Sequence, residues 1–340
     1  MRAKADAIAV LAVVLCVLVL AGEALTYSSG VHEYGADSSW TDGRVEYEVE
    51  SSGGDVYVAV LLDNGIRGSI TDLAVYVDGT YAEYYGDASR ISTVPYQSQD
   101  YFADQIAAFL EFRSFHAVTT LDDDALSGYI EGTMEDPRGK AVMVSSYALP
   151  VSVYDGTPEC PLMEWIGNGG TLYWVGTEIG RFFKDADGLK AVEDNQELFF
   201  GTRCVNTDGP TVATDRIGGG LSEALCLKNS SVINAVNADA VDGAVGIGYS
   251  EGGYSSIAMS PYGDGEVTVF AGPFDINQFD DIGQVVASGV NHGTVLIAHE
   301  RGDVVRGTVS GSISFDSLAD PTLYIFIGGT YAKFAEAFHV

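Results

Sequence analysis

The feature that most constrains the fold is a series of apolar strand candidates that alternate with helix candidates in the middle of the chain. Ala141–Ser145 and Thr171–Val175 are short, nearly continuous apolar runs, and the apolar residues of Gln99–Ser114 recur at helical spacing. Strands without polar alternation are buried on both faces, which is typical of a parallel sheet covered by helices. The sequence therefore predicts an α/β domain over residues 93–290.

The last part of this domain has a different pattern. Ser255–Met259 and Val267–Ala271 flank the turn-forming segment Pro261–Gly265, which predicts an antiparallel hairpin at the edge of the sheet. A helix over Asn277–Gly289 follows, whereas Gly201–Gly220 is predicted to be a long loop. In the first part of the domain, Asp122 or Asp123 is expected to cap a helix, and Lys184–Gly188 is expected to be a turn.

The two ends of the chain contain further strand candidates. Arg44–Glu50 and Val56–Leu62 lie in front, and Thr294–His299 and Gly307–Phe315 lie behind. A short repeat also relates the ends, because residues 73–84 and 323–334 are both strand candidates followed by Gly-Thr-Tyr-Ala and an aromatic residue. Isolated hairpins are marginally stable, so two matching halves gain by packing together. We therefore expect a discontinuous all-β sandwich domain from residues 30–92 and 291–340, into which the α/β domain is inserted.

An uncharged apolar run, residues 7–22, follows Arg2 and Lys4. Its length and flanking charges fit a membrane anchor helix or a cleaved signal peptide over residues 1–26. We favour the uncleaved anchor, with the membrane as partner of residues 7–22. In both interpretations the bulk of the chain lies on the extracytoplasmic face, because the positive end stays in the cytoplasm.

Composition limits the ligands and cofactors. There are 17 Lys and Arg against 48 Asp and Glu, a net charge of −31, which excludes ordinary nucleic-acid binding. Cys160, Cys204 and Cys226 have no zinc-site spacing, and neither a metal nor another cofactor is predicted. Either Cys204 and Cys226 form a disulfide, or all three are buried thiols. Asn229-Ser230-Ser231 is the single glycosylation sequon.

A carboxylate flanked by glycines follows the apolar strand Thr171–Val175. The segment is Gly176-Thr177-Glu178-Ile179-Gly180, and a helix is predicted after it. A tight strand-to-helix turn projects its central side chain from the sheet edge, as in a nucleophile elbow. Glu178 is therefore the candidate catalytic residue. The candidate ligand-binding residues at this edge are Gly176, Thr177, Glu178, Ser146 and Asp275. The alternative is that Glu178 only stabilises the dipole of a helix that begins at Thr177.

The order of these elements resembles the class I glutamine amidotransferase-like domain, a flavodoxin-like α/β fold, over residues 95–290. In that family a cysteine nucleophile occupies the centre of the elbow, and the strand after the hairpin delivers a histidine. Here Glu178 is at the elbow, and Gly272–Asp275 contains no histidine. A carboxylate cannot replace a thiolate in amide transfer without another base. The resemblance therefore implies a domain that has lost amidotransferase catalysis.

Two functions follow as hypotheses. The first is an extracytoplasmic binding or structural module whose partner is an envelope glycan or protein. The alternative is a cell-surface hydrolase of glycans or peptides that uses Glu178 as acid/base. Glycoside cleavage requires a second carboxylate roughly 5–10 Å away. Asp155, Glu159 and Asp275 are the candidates for that group.

Overall fold

The computed structural model describes residues 44–51, 54–63, 70–80, 99–112, 117–225, 227–272, 276–304, 307–314, 321–327 and 333–335. The chain divides into two compact units, one formed by Met1–Leu62 with Leu296–Val340 and the other by Asp63–Val295.

Strands dominate both units. In chain order the strands are β1 (Arg44–Ser51), β2 (Gly54–Asp63), β3 (Asp72–Tyr76), β4 (Val118–Leu121), β5 (Lys140–Val144), β6 (Ala148–Pro150), β7 (Thr171–Val175), β8 (Phe182–Asp185), β9 (Gly188–Ala191), β10 (Asp215–Ile217), β11 (Val236–Asn237), β12 (Val245–Glu251), β13 (Tyr254–Tyr262), β14 (Gly265–Phe270), β15 (Thr294–Val304), β16 (Gly307–Ser314), β17 (Pro321–Ile327) and β18 (Lys333–Ala335). The α-helices are α1 (Gln99–Phe112), α2 (Asp123–Thr133), α3 (Pro161–Gly167), α4 (Asn195–Phe200), α5 (Gly219–Ala224) and α6 (Ile276–Ser288).

A mixed nine-stranded sheet forms the centre of the second unit. Its order is β10-β12-β13-β14-β7-β5-β3-β4, and β11 pairs with β13 off this path. The strands from β14 to β4 run parallel to one another, whereas β13, β12 and β10 continue the sheet in antiparallel pairing. All five residues of β7 are buried, as the apolar run predicts. A small separate sheet has the order β6-β8-β9. In the chain, β6 follows β5, and β8 and β9 follow β7.

Helices cover this sheet where their apolar spacing predicts it. Phe102, Ile106 and Leu110 on α1 are buried, and the Phe102 ring lies 5.7 Å from that of Phe279 on α6. Asp122 caps α2, because its carboxylate accepts a hydrogen bond from the Ala125 amide at 2.9 Å. The helices predicted over Gln99–Ser114 and Asn277–Gly289 are confirmed to within two residues at each end, whereas the predicted loop 201–220 contains β10 and the start of α5.

The residues of the first unit that the structure describes form two sheets. β1 and β16 form an antiparallel pair, and the other sheet has the order β15-β2-β17-β18. The four strands predicted near the ends of the chain are confirmed as β1, β2, β15 and β16. The sequence repeat does not place its two copies in one sheet, because β3 lies in the mixed sheet and β17 pairs with β2 and β18.

The predicted fold class, a flavodoxin-like α/β domain in a discontinuous all-β sandwich, is wrong. The hairpin of β13 and β14 is not at the sheet edge, because β14 pairs with β7 and β13 pairs with β12 and β11. The reason is that the apolar pattern indicates which faces of a strand are buried but not which strands pair along its edges, and β12 and β11 both pair with β13. The sheet is therefore mixed, with four strands in antiparallel pairing beyond the parallel ones.

The predicted N-terminal apolar helix over residues 7–22 lies outside the described residues. Among the helices that the structure describes, none is long and apolar enough to span a membrane. The membrane anchor over residues 7–22 and the extracytoplasmic location therefore stay predictions.

Two sequence features lie buried inside the second unit. Cys160 and Cys204 are buried free thiols, so of the two alternatives for the cysteines the structure contradicts the Cys204–Cys226 disulfide, while Cys226 itself lies outside the described residues. Burial raises the pKa of the Cys204 thiol to about 12, with the nearby Glu197 carboxylate adding to the shift. The sequon residue Asn229 is buried as well, and its side-chain amide donates to the Ala271 carbonyl at 3.4 Å.

A buried carboxylate on α6 fixes the backbone at Lys228 and Asn229. Asp281 is 1% exposed and accepts the Lys228 amide at 3.0 Å and the Asn229 amide at 2.6 Å. Desolvation raises the pKa of Asp281 to about 7, against the opposing effect of these hydrogen bonds and with a contribution from the Asp280 charge. The Lys228 ammonium pairs with Asp280 beside it.

The raised pKa of Asp281 predicts a specific pH dependence of stability. The folded state holds the proton more tightly than the unfolded state, so this group's contribution is greatest in acid and is lost as the pH rises from about 4 to about 7. Asp281→Asn keeps an acceptor for both amides and does not titrate. We expect the free energy of unfolding of Asp281→Asn, relative to wild type, to increase by on the order of a few kcal/mol between pH 4 and pH 8. Urea titrations at both pH values measure it, and an unchanged or falling difference contradicts the assignment.

Candidate functional site

The turn after β7 presents Glu178 at the carboxyl edge of the parallel strands. Gly176 has a φ of 81° and Gly180 a φ of 60°, which are left-handed conformations that favour glycine. Within residues 176–180 only Glu178 is not buried. The turn leads into strand β8, not into the predicted helix, because Phe182–Asp185 pairs with β6 and β9. Both the nucleophile elbow and the helix-dipole interpretation of Glu178 are therefore wrong.

Two amide side chains hold one oxygen of Glu178. Asn195 Nδ2 lies 3.1 Å and Gln196 Nε2 lies 3.2 Å from Glu178 Oε1. Asn195 is buried and also donates to the Ile179 carbonyl at 2.7 Å, while Gln196 Oε1 accepts the amides of Cys204 and Val205, each at 2.9 Å. Because both amides are themselves held in place, the Glu178 carboxylate has a fixed position.

Sequence reasoning missed Asn195 and Gln196. They begin α4, and 17 and 18 residues separate them from Glu178. The only signal is that this polar pair begins a short helix whose other end is apolar, and that signal alone does not indicate what the amides contact.

The structure brings Ser146 and Thr177 together beneath the turn. Both are buried, and the Thr177 hydroxyl donates to the Ser146 carbonyl at 3.1 Å. Trp174 Nε1 donates to Thr177 Oγ1 at 2.9 Å, and the Ser146 hydroxyl donates to the Ala148 carbonyl at 2.7 Å. The Thr177 hydroxyl therefore ties the turn to the Ser146 backbone, while the Ser146 hydroxyl is bonded within its own segment. Asp275 lies outside the described residues.

A further contact ties the turn to the segment that carries Asp155. The Tyr154 hydroxyl donates to the Gly180 carbonyl at 2.8 Å. Asp155 is exposed, and its Oδ1 accepts the amide and hydroxyl of Thr157 at 2.9 and 2.7 Å. Glu159 is also exposed on this segment. Of the two predicted partner carboxylates that the structure describes, Asp155 is therefore the one adjacent to a residue that contacts the Glu178 turn.

A buried ion cluster that the sequence did not indicate lies beyond the end of β3. Lys184 Nζ lies 2.5 Å from Asp78 Oδ1, 2.9 Å from Asp123 Oδ1 and 3.2 Å from Thr80 Oγ1. The Tyr76 hydroxyl donates to Asp123 at 2.8 Å. All three ammonium protons have acceptors, so the cluster holds β8 against the sheet and leaves no free amine for chemistry.

The chemistry available at the Glu178 edge is hydrogen bonding and proton transfer by one positioned carboxylate. In the described part of the chain, no group of three or more His, Cys, Asp or Glu side chains could hold a metal ion. The basic group nearest in sequence, Arg181, donates to the Val192 carbonyl at 2.6 Å and lies 3.6 Å from Glu193.

Comparisons with known proteins give partial matches. No protein-family model matches the sequence, and no curated protein matches it. A catalytic mutant of Gan42B, a GH42 β-galactosidase of G. stearothermophilus, is similar with a TM-score of 0.36 and 18% identity, over 64% of this chain and 29% of that one. The β-galactosidase of Bacillus circulans sp. alkalophilus gives 0.37 and 15% over 76% and 35%. The exo-β-1,4-mannosidase Op5Man5 of Opitutaceae bacterium strain TAV5 gives 0.31 and 11% over 65% and 34%.

The predicted amidotransferase resemblance is corrected. The similar structures are named as glycoside hydrolases, and this chain spans about a third of the length of each. The correction rests on the geometry of the turn, because Glu178 is followed by strand β8 and not by a helix.

Proposed function

We propose that the unit Asp63–Val295 recognises neutral glycans, and that Glu178 accepts hydrogen bonds from sugar hydroxyl groups. The observation that carries the proposal is the single partly exposed carboxylate in an otherwise buried turn, fixed through one oxygen by Asn195 and Gln196. A fixed acceptor binds at a lower entropy cost than a mobile one.

Charge selects the class of ligand. The net charge of −31 repels polyanions, so phosphorylated or acidic ligands are disfavoured at a carboxylate. Neutral polyols present hydroxyl donors, which complement an ionised acceptor.

Hydrolysis of the bound glycan is the second candidate function. It is favoured by the fixed position of Glu178 and by Asp155, which lies next to a residue that contacts the same turn. In this scheme Glu178 is the acid/base and Asp155 the second carboxylate.

Glu178→Gln tests the proposal, because the amide keeps an acceptor for Asn195 and Gln196 but loses the charge. We expect wild type to bind neutral oligosaccharides of galactose, mannose or glucose in calorimetric titrations, and Glu178→Gln to bind them about 10- to 100-fold more weakly. If the protein is a hydrolase, release of reducing ends falls at least about 100-fold in the same variant.

Glu193→Gln is the matched control, since the Glu193 carboxylate is 79% exposed and forms an ion pair with Arg181. This variant should bind the glycans as wild type does. Binding by wild type without turnover leaves recognition as the function. If wild type binds none of these glycans, or if Glu178→Gln binds equally well, the proposal fails.

A further inference from the structure

The strongest unexplained feature of the described backbone is a strained asparagine beside the Glu178 turn. Asn234 has a φ of 57° and is the only non-glycine residue with positive φ in the described part of the chain. Such conformations cost energy in non-glycine residues and are retained where the surroundings impose them. Asparagine tolerates this region better than most residues because its short polar side chain can hydrogen-bond locally.

The surroundings fix Asn234 from both sides. Its backbone amide donates to the Asn206 carbonyl at 2.7 Å, and the Gly272 amide donates to the neighbouring Ile233 carbonyl at 2.9 Å. Asn206 in turn is buried and donates from its side chain to the Val232 carbonyl at 2.6 Å. The segment that carries Asn234 is therefore attached to the end of β14.

The side chain of Asn234 reaches the turn itself. Asn234 Nδ2 donates to the Gly176 carbonyl at 3.1 Å, across 58 residues of sequence. This carbonyl belongs to the peptide that joins Gly176 to Thr177, one residue before Glu178. Because Gly176 has the conformational freedom of glycine, a bond to its carbonyl sets the orientation of that peptide.

We propose that Asn234 is a positioning residue for Glu178: it holds the Gly176 carbonyl and so fixes the direction in which the turn presents the carboxylate. The functional part of this inference rests on the proposed glycan site. The geometric part can be measured without any ligand.

Asn234→Asp and Asn234→Gly separate the hydrogen bond from the backbone strain. Aspartate keeps the size and the tolerance of positive φ but places an acceptor against the Gly176 carbonyl. Glycine removes the side chain and accepts positive φ without strain. Asn168→Gly is the control, because Asn168 is an exposed asparagine whose side chain contacts Met134.

The ligand-free readout is hydrogen exchange at the tryptophan indoles, followed by NMR. Trp174 Nε1 bonds to Thr177 at 2.9 Å, whereas Trp165 Nε1 bonds to Thr133 on α2 at 2.9 Å. We expect exchange at Trp174 to become about tenfold faster in both Asn234 variants, while exchange at Trp165 and the overall stability of Asn234→Gly stay close to wild type. A merely structural role predicts faster exchange at both indoles, in proportion to lost stability.

Glycan titration supplies the second readout. Loss of affinity together with faster Trp174 exchange supports both proposals. Faster exchange in a protein whose wild type binds no glycan overturns the proposed function and leaves the positioning role. Unchanged Trp174 exchange, or faster exchange at Trp165 as well, overturns the inference about Asn234, whatever the glycan result.

Discussion

Lys184→Met is expected to destabilise the second unit by about 3–5 kcal/mol. The substitution keeps most of the apolar stem but removes the ammonium from Asp78, whose side chain is fully buried. Asp78 Oδ2 already has no hydrogen-bond partner in the described structure, so the remaining donors would be the amide and hydroxyl of Thr80, both on Oδ1. A buried carboxylate without its counter-charge is far more costly than the loss of an exposed ion pair. Chemical denaturation at neutral pH measures the change.

Two variants test the cause of that loss. Lys190→Met removes an ion pair with Asp185 in the same small sheet, with both side chains partly exposed and 3.7 Å apart, and should cost less than about 1 kcal/mol. Lys184→Met combined with Asp78→Asn removes both charges and should recover much of the stability. If the double variant is as unstable as Lys184→Met, lost packing and not the unpaired charge is responsible.

Gly272→Ala is expected to destabilise the fold by about 3 kcal/mol or more and to disturb the Glu178 turn. An added Cβ would lie 1.8 Å from the Gly176 carbonyl oxygen and 2.6 Å from its carbon. Neither backbone can withdraw freely, because the Gly176 amide donates to Phe270 at 2.8 Å and the Gly272 amide donates to Ile233 at 2.9 Å. Thermal unfolding reports the loss, and the Trp174 indole shift reports the disturbed turn.

Gly128→Ala is the control for the added methyl group. Gly128 lies within α2, and a Cβ there meets no atom within 4 Å. Alanine is the better helix former, so this variant should gain roughly 0.5–1 kcal/mol. If Gly272→Ala is as stable as wild type, Gly272 does not approach the Gly176 carbonyl as closely as the structure shows.

Local patterns in the sequence predict much of the second unit. The apolar runs at β5 and β7, the stripe of α1 and the cap at Asp122 each depend on burial or on hydrogen bonds within a few residues. For the same reason the position of Glu178 at the end of a buried strand could be predicted. Periodicity and capping are local properties, and the structure follows them here.

The parts of the candidate site that the sequence does not predict depend on contacts between residues far apart in the chain. The amides of Asn195 and Gln196 reach Glu178 only because β8 and β9 turn the chain back, where a helix was expected. Lys184 looks like part of a turn in the sequence, yet its partner Asp78 is 106 residues away. Asn234 likewise donates a hydrogen bond to the Gly176 carbonyl across 58 residues, and no spacing in the sequence indicates that contact.

NMR titration of the wild-type protein with a neutral oligosaccharide tests the central claim most directly, since it locates the ligand as well as detecting it. We predict saturable shifts at the backbone amides of residues 176–180 and 195–196 and at the Trp174 indole, with the Trp165 indole unchanged. The shifts should be insensitive to salt, because the ligand is uncharged, and they should weaken strongly in Glu178→Gln. Shifts confined to other parts of the chain, or an identical response from Glu178→Gln, would contradict a glycan site at Glu178.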